Sequence, residues 1–401
     1  MRFTNSVASC LIAALWVTPS LITVTQADEI TIKIETKEST SPDEAKSSPF
    51  SGQRATVDVA ILLDTSSSMD GLINQARSQL WNIVQEFMKA KKAGKTPLLR
   101  VAVMEYGNSG LPATEDYIRQ VVPMTDDLDK VSEGLFALST NGGDEYCGSV
   151  IKESLKRLDW STEPGGYKAI FIAGNEPFDQ GSVDYKAACK NAIQQGVVVN
   201  TIHCGNRNAG VRGHWKEGAD LAEGKFMNID QDERVVHIKA PQDKIIIELN
   251  AQLNKTYLWY GKAEKRQAYQ MNQARQDSNA GGSGGLSSRA KIKSSSIYRN
   301  VGRDLVDTFE ESQDAVKDLD ESKLPESLKS LSPEQRVAEI QRLSKLRTEI
   351  KSKLAEASKQ RDAFVQAEQK KLAESSGETF GDAFSAAVSE QLQQAGFQQS
   401  Q

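Results

Sequence analysis

Two periodicities alternate along the middle of the chain. The run VDVAILL from Val57 is continuously apolar, as expected of a strand buried on both faces, and it stops at Asp64. The stretch LINQARSQLWNIVQEFMKAKKAG then places Leu72, Leu80, Ile83, Val84, Phe87 and Met88 at helical spacing. LLRVAVMEY and YIRQVVPM predict two more strands, and after a short helix CGSVIKESLKRLDW predicts a longer one, followed by the strand YKAIFIAG. YKAACKNAIQQG is a helix closed by glycine, VVVNTIHCG a strand, KFMNID a short edge strand and DKIIIELNAQLNKTYLWYG a final helix. Strands alternating with helices of this length predict an α/β fold, a doubly wound, mostly parallel sheet flanked by helices on both faces. Ligands of such sheets bind beyond the carboxyl ends of the strands, at the switch point. Asp64 sits at the carboxyl end of the first strand.

The flanks have a different character. Residues 1–27 combine the basic Arg2, an apolar run from Val7 to Val24 and small residues at Thr25 and Ala27, the pattern of a cleavable secretory signal with the mature chain starting at Asp28. Residues 28–53 dissolve into Ser, Pro and charge and read as a linker, and the regular domain runs over 54–261. Residues 262–296 pass from a polar helix into the Gly/Ser-rich GGSGGLSS, which predicts a flexible linker and a sheet domain able to fold without the tail. Over 297–374 the helices are charged, and the longest has Ser332, Pro333 and Gln335 in a capping-box arrangement. Its apolar positions Val337, Ile340, Leu343, Leu346, Ile350, Leu354, Ala357 and Phe364 form a stripe that suits a helical hairpin or coiled coil and offers a surface for self-association. Residues 375–401 read as a weak amphipathic helix or a disordered tail.

Composition narrows the functional classes. The chain has 401 residues with a net charge of −5, so it offers no broad basic surface for nucleic acid. No segment after the signal is apolar enough to span a bilayer, which with the signal predicts an exported protein, periplasmic or extracellular. Cys147, Cys189 and Cys204 then lie in an oxidising compartment, where a Cys147–Cys204 disulfide is one reading. Their spacing with His203 matches no zinc motif. GGSGG matches a nucleophile pattern at Ser283 only formally, since that serine has no preceding strand, and no other catalytic fingerprint occurs.

The stretch after the first strand, DTSSS, carries the chemistry. A hard divalent cation takes about six oxygens, and alternate residues of a tight loop aim the Asp64 carboxylate and the Ser66 and Ser68 hydroxyls at one point. The competing reading is a helix N-cap. In its position after an apolar strand, D-x-S-x-S resembles the metal-ion-dependent adhesion site of the von Willebrand factor type A domain. That resemblance implies one divalent cation, Mg2+ or else Mn2+ or Ca2+, and a protein partner whose acidic residue completes the ion's shell. It also implies a ligand from a second loop, here LSTNGGDEYCGSVI, with Asp144 and Thr140 as candidates and Glu145 at the rim. The family's third loop usually carries T-D-G. This chain has FIAGNEPF instead, with Ala173 and Gly174 in place of the hydroxyl and the carboxylate, and Asn175 or Glu176 nearby as substitutes. The functional expectations are an adhesin or envelope scaffold that binds protein through the ion, or a structural envelope protein with a vestigial site, ahead of any hydrolase.

Overall fold

The computed structural model describes residues 54–69, 81, 84–229, 238–282, 285–372 and 380–399. These belong to one unit, Ser47–Gln401. The signal and the linker expected over 1–53, and residues 72–80, 82 and 83 of the helix expected from Leu72, lie outside the described residues.

In chain order the strands are β1 (Thr56–Asp64), β2 (Ala90–Lys91), β3 (Leu98–Tyr106), β4 (Arg119–Thr125), β5 (Tyr167–Gly174), β6 (Val198–Cys204), β7 (Phe226–Ile229) and β8 (Gln398–Gln399). The helices are α1 (Leu128–Ala137), α2 (Cys147–Arg157), α3 (Tyr185–Gln194), α4 (Arg207–Arg212), α5 (Trp215–Leu221), α6 (Asp243–Asn254), α7 (Ala263–Gly282), α8 (Leu286–Ser294), α9 (Leu305–Glu311), α10 (Glu326–Lys329), α11 (Pro333–Leu372) and α12 (Phe380–Gln394). The strand order β4-β3-β1-β5-β6-β7 puts β1 inside the sheet, and only the β4 edge runs antiparallel. β1 pairs in parallel with β3 from Thr56↔Leu98 to Asp64↔Tyr106, and with β5 from Val57↔Tyr167 to Leu63↔Ala173. The mostly parallel α/β sheet predicted from the sequence is therefore the observed fold.

The continuous apolar run of β1 serves both faces. Val57, Val59 and Leu63 enter one core, while Ala60 and Leu62 enter the other, as the two-residue side-chain period requires. The second core is closed by α2, α3 and α5 through Val150, Ile151, Cys189 and Trp215. The first continues into the C-terminal helices. Ile246 and Leu253 of α6, Ile292 of α8, Ile350 and Leu354 of α11 and Phe384 and Val388 of α12 all belong to it.

This sharing corrects the expected organisation of the second half. Over 262–296 the expected polar helix is α7, and in place of the expected Gly/Ser linker α7 runs on to Gly282 and α8 starts at Leu286, with the Gly285 N–H donating to the Ala280 carbonyl at 2.8 Å; Ser283 and Gly284 lie outside the described residues. What holds that corner is charge, to which apolar periodicity is blind. Arg289, wholly buried, donates to Asp277 at 2.6 Å and to Asp129 of α1 at 2.7 Å, and its guanidinium lies over the Trp81 ring. The capping box of α11 forms, with the Ser332 N–H donating to Gln335 Oε1 at 2.9 Å. Most of its apolar stripe lies on the chain's own helices, Ile340 and Leu343 beside Leu305 and Leu328, and Ile350 and Leu354 in the first core, while Leu346 is exposed. Of the terminal segment the described residues 380–399 pack on the first core: α12 buries Phe384, Val388 and Leu392, and β8 pairs antiparallel with β2 in a separate two-stranded sheet.

Candidate metal centre

The site begins where β1 runs out of apolar residues. The Thr65 N–H donates to the Tyr106 carbonyl at 2.8 Å and the Thr65 hydroxyl to Glu105 Oε2 at 3.1 Å, which fixes the chain as it leaves the sheet. It then turns through one 3-10 turn, Ser67–Met69, anchored by the buried Met69. That turn brings the D-x-S-x-S side chains together. Asp64 Oδ1 accepts the Ser66 N–H at 2.7 Å, and the Ser66 and Ser68 Oγ atoms lie 2.9 Å apart. Asp64 and Ser66 are buried and Ser68 is exposed.

The loop over 138–146 is tied to this turn by its backbone. Asn141 N–H donates to the Thr65 carbonyl at 3.0 Å, and Ser109 N–H to the Gly142 carbonyl at 2.7 Å. Two glycines permit the approach. A Cβ on Gly143 would stand 2.5 Å from the Gly107 carbonyl oxygen; on Gly107, whose φ is +76°, it would stand 2.8 Å from Asp64 Oδ1 and 2.9 Å from Glu145 Cγ. Within this loop the two acids part company. Glu145 is buried beside Asp64, whereas Asp144 is exposed and its Oδ2 accepts the Tyr146 hydroxyl at 3.1 Å. Thr140 is half-buried, one residue ahead of the Asn141 tether.

The third loop explains its own departure from T-D-G. A Cβ on Gly174 would stand 2.5 Å from the Tyr106 hydroxyl oxygen and 3.0 Å from the Trp215 ring, so the place of a longer side chain is filled. Tyr106 is fully buried and donates to the Ala173 carbonyl at 3.0 Å. The next residue supplies an oxygen instead: Asn175 Oδ1 accepts the Ser68 hydroxyl at 2.9 Å, and the Asn175 carbonyl lies 3.2 Å from His203 Nε2.

Electrostatically the centre is two carboxyls short of a counter-charge. Burial, and then the neighbouring Glu145 carboxyl, push Asp64 up to about 9. Burial raises Glu145 as well, while the Asp64 and Ser66 side chains beside it pull the other way. Asp64 Oδ2 is buried and has no hydrogen-bond partner. A polar atom left unpaired in this way costs roughly 1–3 kcal/mol, and a cation ligated at Oδ2 would remove the cost. The hard oxygens gathered here suit Mg2+, Mn2+ or Ca2+.

A sequence model of the von Willebrand factor type A domain matches residues 58–217. The chain carries a von Willebrand factor type A domain. Among solved structures it is similar to BatB from Bacteroides thetaiotaomicron, at 14% identity and a TM-score of 0.34 over 55% of this chain and 99% of that one. It is also similar to an aerotolerance-related membrane protein from Bacteroides fragilis, at 17% identity and a TM-score of 0.32 over 43% and 92% of the two chains. A third similar structure is proximal thread matrix protein 1 from the mussel byssus with a zinc-occupied adhesion-site motif, at 13% identity and a TM-score of 0.33 over 45% and 43%. No curated protein matches the chain.

The matched type A domain ends at residue 217, within α5, ahead of β7 and α6. The expected Cys147–Cys204 disulfide does not form. Cys147, Cys189 and Cys204 are buried thiols outside any disulfide, and Cys147 and Cys204 belong to the two different cores, on opposite faces of the sheet. Among the described residues no three His, Cys, Asp or Glu side chains gather as a metal cluster.

Proposed function

We propose that the type A domain binds a protein partner through one divalent cation held by Asp64, Ser66 and Ser68, in an exported protein that serves adhesion or scaffolds an envelope complex. Type A domains are in general protein-interaction modules, which supports the binding reading. The observation that carries the metal is the buried, unpaired Asp64 Oδ2 beside two hydroxyls 2.9 Å apart at the carboxyl end of an inner strand. When bound, the ion offers a partner's oxygen an open coordination position at the protein surface, where Ser68 is exposed. Export rests on the signal pattern of residues 1–27; none of the described helices is long and apolar enough to cross a membrane.

Titration of Mg2+ or Mn2+ into the purified protein tests the site. Saturable uptake by the wild type and none by Asp64→Ala, Ser66→Ala or Ser68→Ala is expected; equal uptake by wild type and Asp64→Ala would leave only the helix N-cap. The filled position at Gly174 supports a second reading, a structural envelope protein with a vestigial site. Under that reading the serine variants would capture a partner as well as the wild type does.

A further inference from the structure

We propose that the rim beside the candidate metal centre, built by Tyr117, Tyr146, Asp116 and Asp144, receives an arginine side chain of the protein partner. The inference rests on the reading that a partner docks at this end of the sheet, and it deepens that reading by naming the chemistry the partner presents around the ion. Three observations carry it.

The first is charge. The three loops that leave the sheet around Asp64, residues 107–118, 138–146 and 175–183, hold Glu115, Asp116, Asp144, Glu145, Glu176 and Asp179 and no Lys or Arg. These carboxyls alone outweigh the net charge of −5 of the whole chain. Elsewhere the chain answers its surface acids itself: Lys186 pairs with Glu217 at 2.6 Å, Lys216 with Asp220 at 2.5 Å and Arg342 with Glu339 at 2.7 Å. At the rim Glu115 has Arg157 at 3.4 Å and Asp179 has His214 at 3.8 Å, but Asp116, Asp144 and Glu176 form no ion pair among the described residues. Acids gathered without a cation repel one another, and a basic partner relieves that repulsion and is steered to it.

The second is aromatic. The Tyr117 and Tyr146 rings lie 6.1 Å apart, tilted by 51°, and both residues are half-buried. Gly181, at φ +91°, makes room for one of them, since a Cβ there would stand 2.7 Å from Tyr146 Cδ1. Asp116 and Tyr117 are both held in the left-handed region, at φ +54° and +55°, which places the other. The Tyr146 hydroxyl donates to Asp144 Oδ2 at 3.1 Å. Burial, then Asp144, Tyr117 and Asp116, push that hydroxyl up from its ordinary value, so both acids act at the ring. Aromatic faces beside carboxylates suit a guanidinium, which stacks on a ring while donating to an acid; an ammonium is a compact, strongly hydrated charge and gains less from the rings.

The third ties the rim to the ion's place. Asp144 is followed in the same loop by Glu145, which is buried beside Asp64, and the buried Asp64 Oδ2 has no hydrogen-bond partner. One segment of a partner can therefore reach the ion with an oxygen and the rim with a basic side chain.

Fluorescence anisotropy of labelled hexa-arginine and hexalysine peptides with the full mature chain in Mn2+ tests the rim, and thermal melts confirm that each variant is folded. The wild type is expected to bind hexa-arginine saturably and more tightly than hexalysine. Asp116→Asn should weaken hexa-arginine roughly two- to fivefold, the span of one exposed charge or cation–π contact, and Tyr146→Leu should erase the preference for arginine over lysine. Glu349→Gln removes the same charge from an exposed position on α11 and should bind like the wild type. Equal weakening in Glu349→Gln and Asp116→Asn, or an arginine preference that survives in Tyr146→Leu, would overturn the rim. Calorimetric titration of Mn2+ keeps the two readings apart: Asp116→Asn should take up the ion as the wild type does. No Mn2+ uptake by the wild type, with hexa-arginine still bound and still weakened by Asp116→Asn, would overturn the metal reading and leave the rim standing.

Discussion

At the residue scale the centre is a contest between a proton and a metal ion. Asp64, raised to about 9 by burial and by Glu145, holds a proton at neutral pH when no cation is present. Metal binding should therefore release roughly one proton per ion, and calorimetric enthalpies measured near pH 7 in two buffers of different ionisation enthalpy should differ by that amount. Equal enthalpies in the two buffers would mean that Asp64 is already ionised. The same shift has a sign for stability. An acid whose folded pKa lies above its unfolded value of about 3.9 costs stability that is absent at low pH and grows as pH rises toward 9. Metal-free wild type should thus lose thermal stability between pH 5 and pH 8.5 relative to Asp64→Asn, and saturating Mg2+ should narrow the difference; parallel melting curves for the two would contradict this. The DTSSS oxygens were legible in the sequence because a polar cluster directly after an apolar strand is a local signal. Glu145 was not singled out over Asp144, since which of two adjacent acids turns inward depends on Gly107, thirty-eight residues away in the chain and touching the loop only in the fold.

At the scale of elements, strands and helices over 98–229 follow their periodicity because each buries an apolar stripe against the sheet. The helices after residue 262 were legible as helices or missed according to what holds them. α11 announces itself by its stripe and its capping box and α7 reads as a polar helix, whereas α8 is anchored by Arg289 and Lys293, charges that any pattern of hydrophobicity assigns to solvent. Burial alone would raise Asp277, but Lys293 and Arg289 hold it well below the ordinary carboxylate range. Arg289→Met should cost about 3–5 kcal/mol, the usual penalty for removing one partner of a buried ion pair, because Asp129 and Asp277 stay behind; a urea midpoint equal to that of the wild type would refute it. In the same core, α12 is registered by a reciprocal amide pair: Gln391 Nε2 donates to Asn200 Oδ1 at 2.7 Å and Asn200 Nδ2 to Gln391 Oε1 at 3.1 Å, while Gln391 Oε1 also accepts the Tyr167 hydroxyl at 2.6 Å. Phe384 adds its ring 5.0 Å from that of Phe171, and Phe384→Ala should cost about 3–5 kcal/mol in the same assay.

At the scale of the whole molecule, the sequence suggests a sheet domain followed by dispensable helices, whereas the packing makes one core of both. Ending the chain after Gly261 would remove every C-terminal residue of the first core and leave Tyr167, Phe171 and Leu253 of the sheet layer facing water. Each such side chain loses about 1.5–3 kcal/mol of burial, and the three together approach the roughly 5–15 kcal/mol by which a whole protein is stable. Asp129 would in addition lose Arg289 and the Tyr298 hydroxyl, which donates to it at 2.7 Å, and would stand near the bared face without a cation. The fragment 54–261 is accordingly expected to bind a hydrophobic dye and to melt far below the intact chain, or not to melt cooperatively at all. Co-expression with residues 262–401 as a separate chain should restore a cooperative transition, since what the sheet lacks is a surface to pack on and not a covalent link. A fragment that melts at the temperature of the full chain, with the same near-ultraviolet dichroism, would show instead that the C-terminal helices lie on a sheet domain already complete without them.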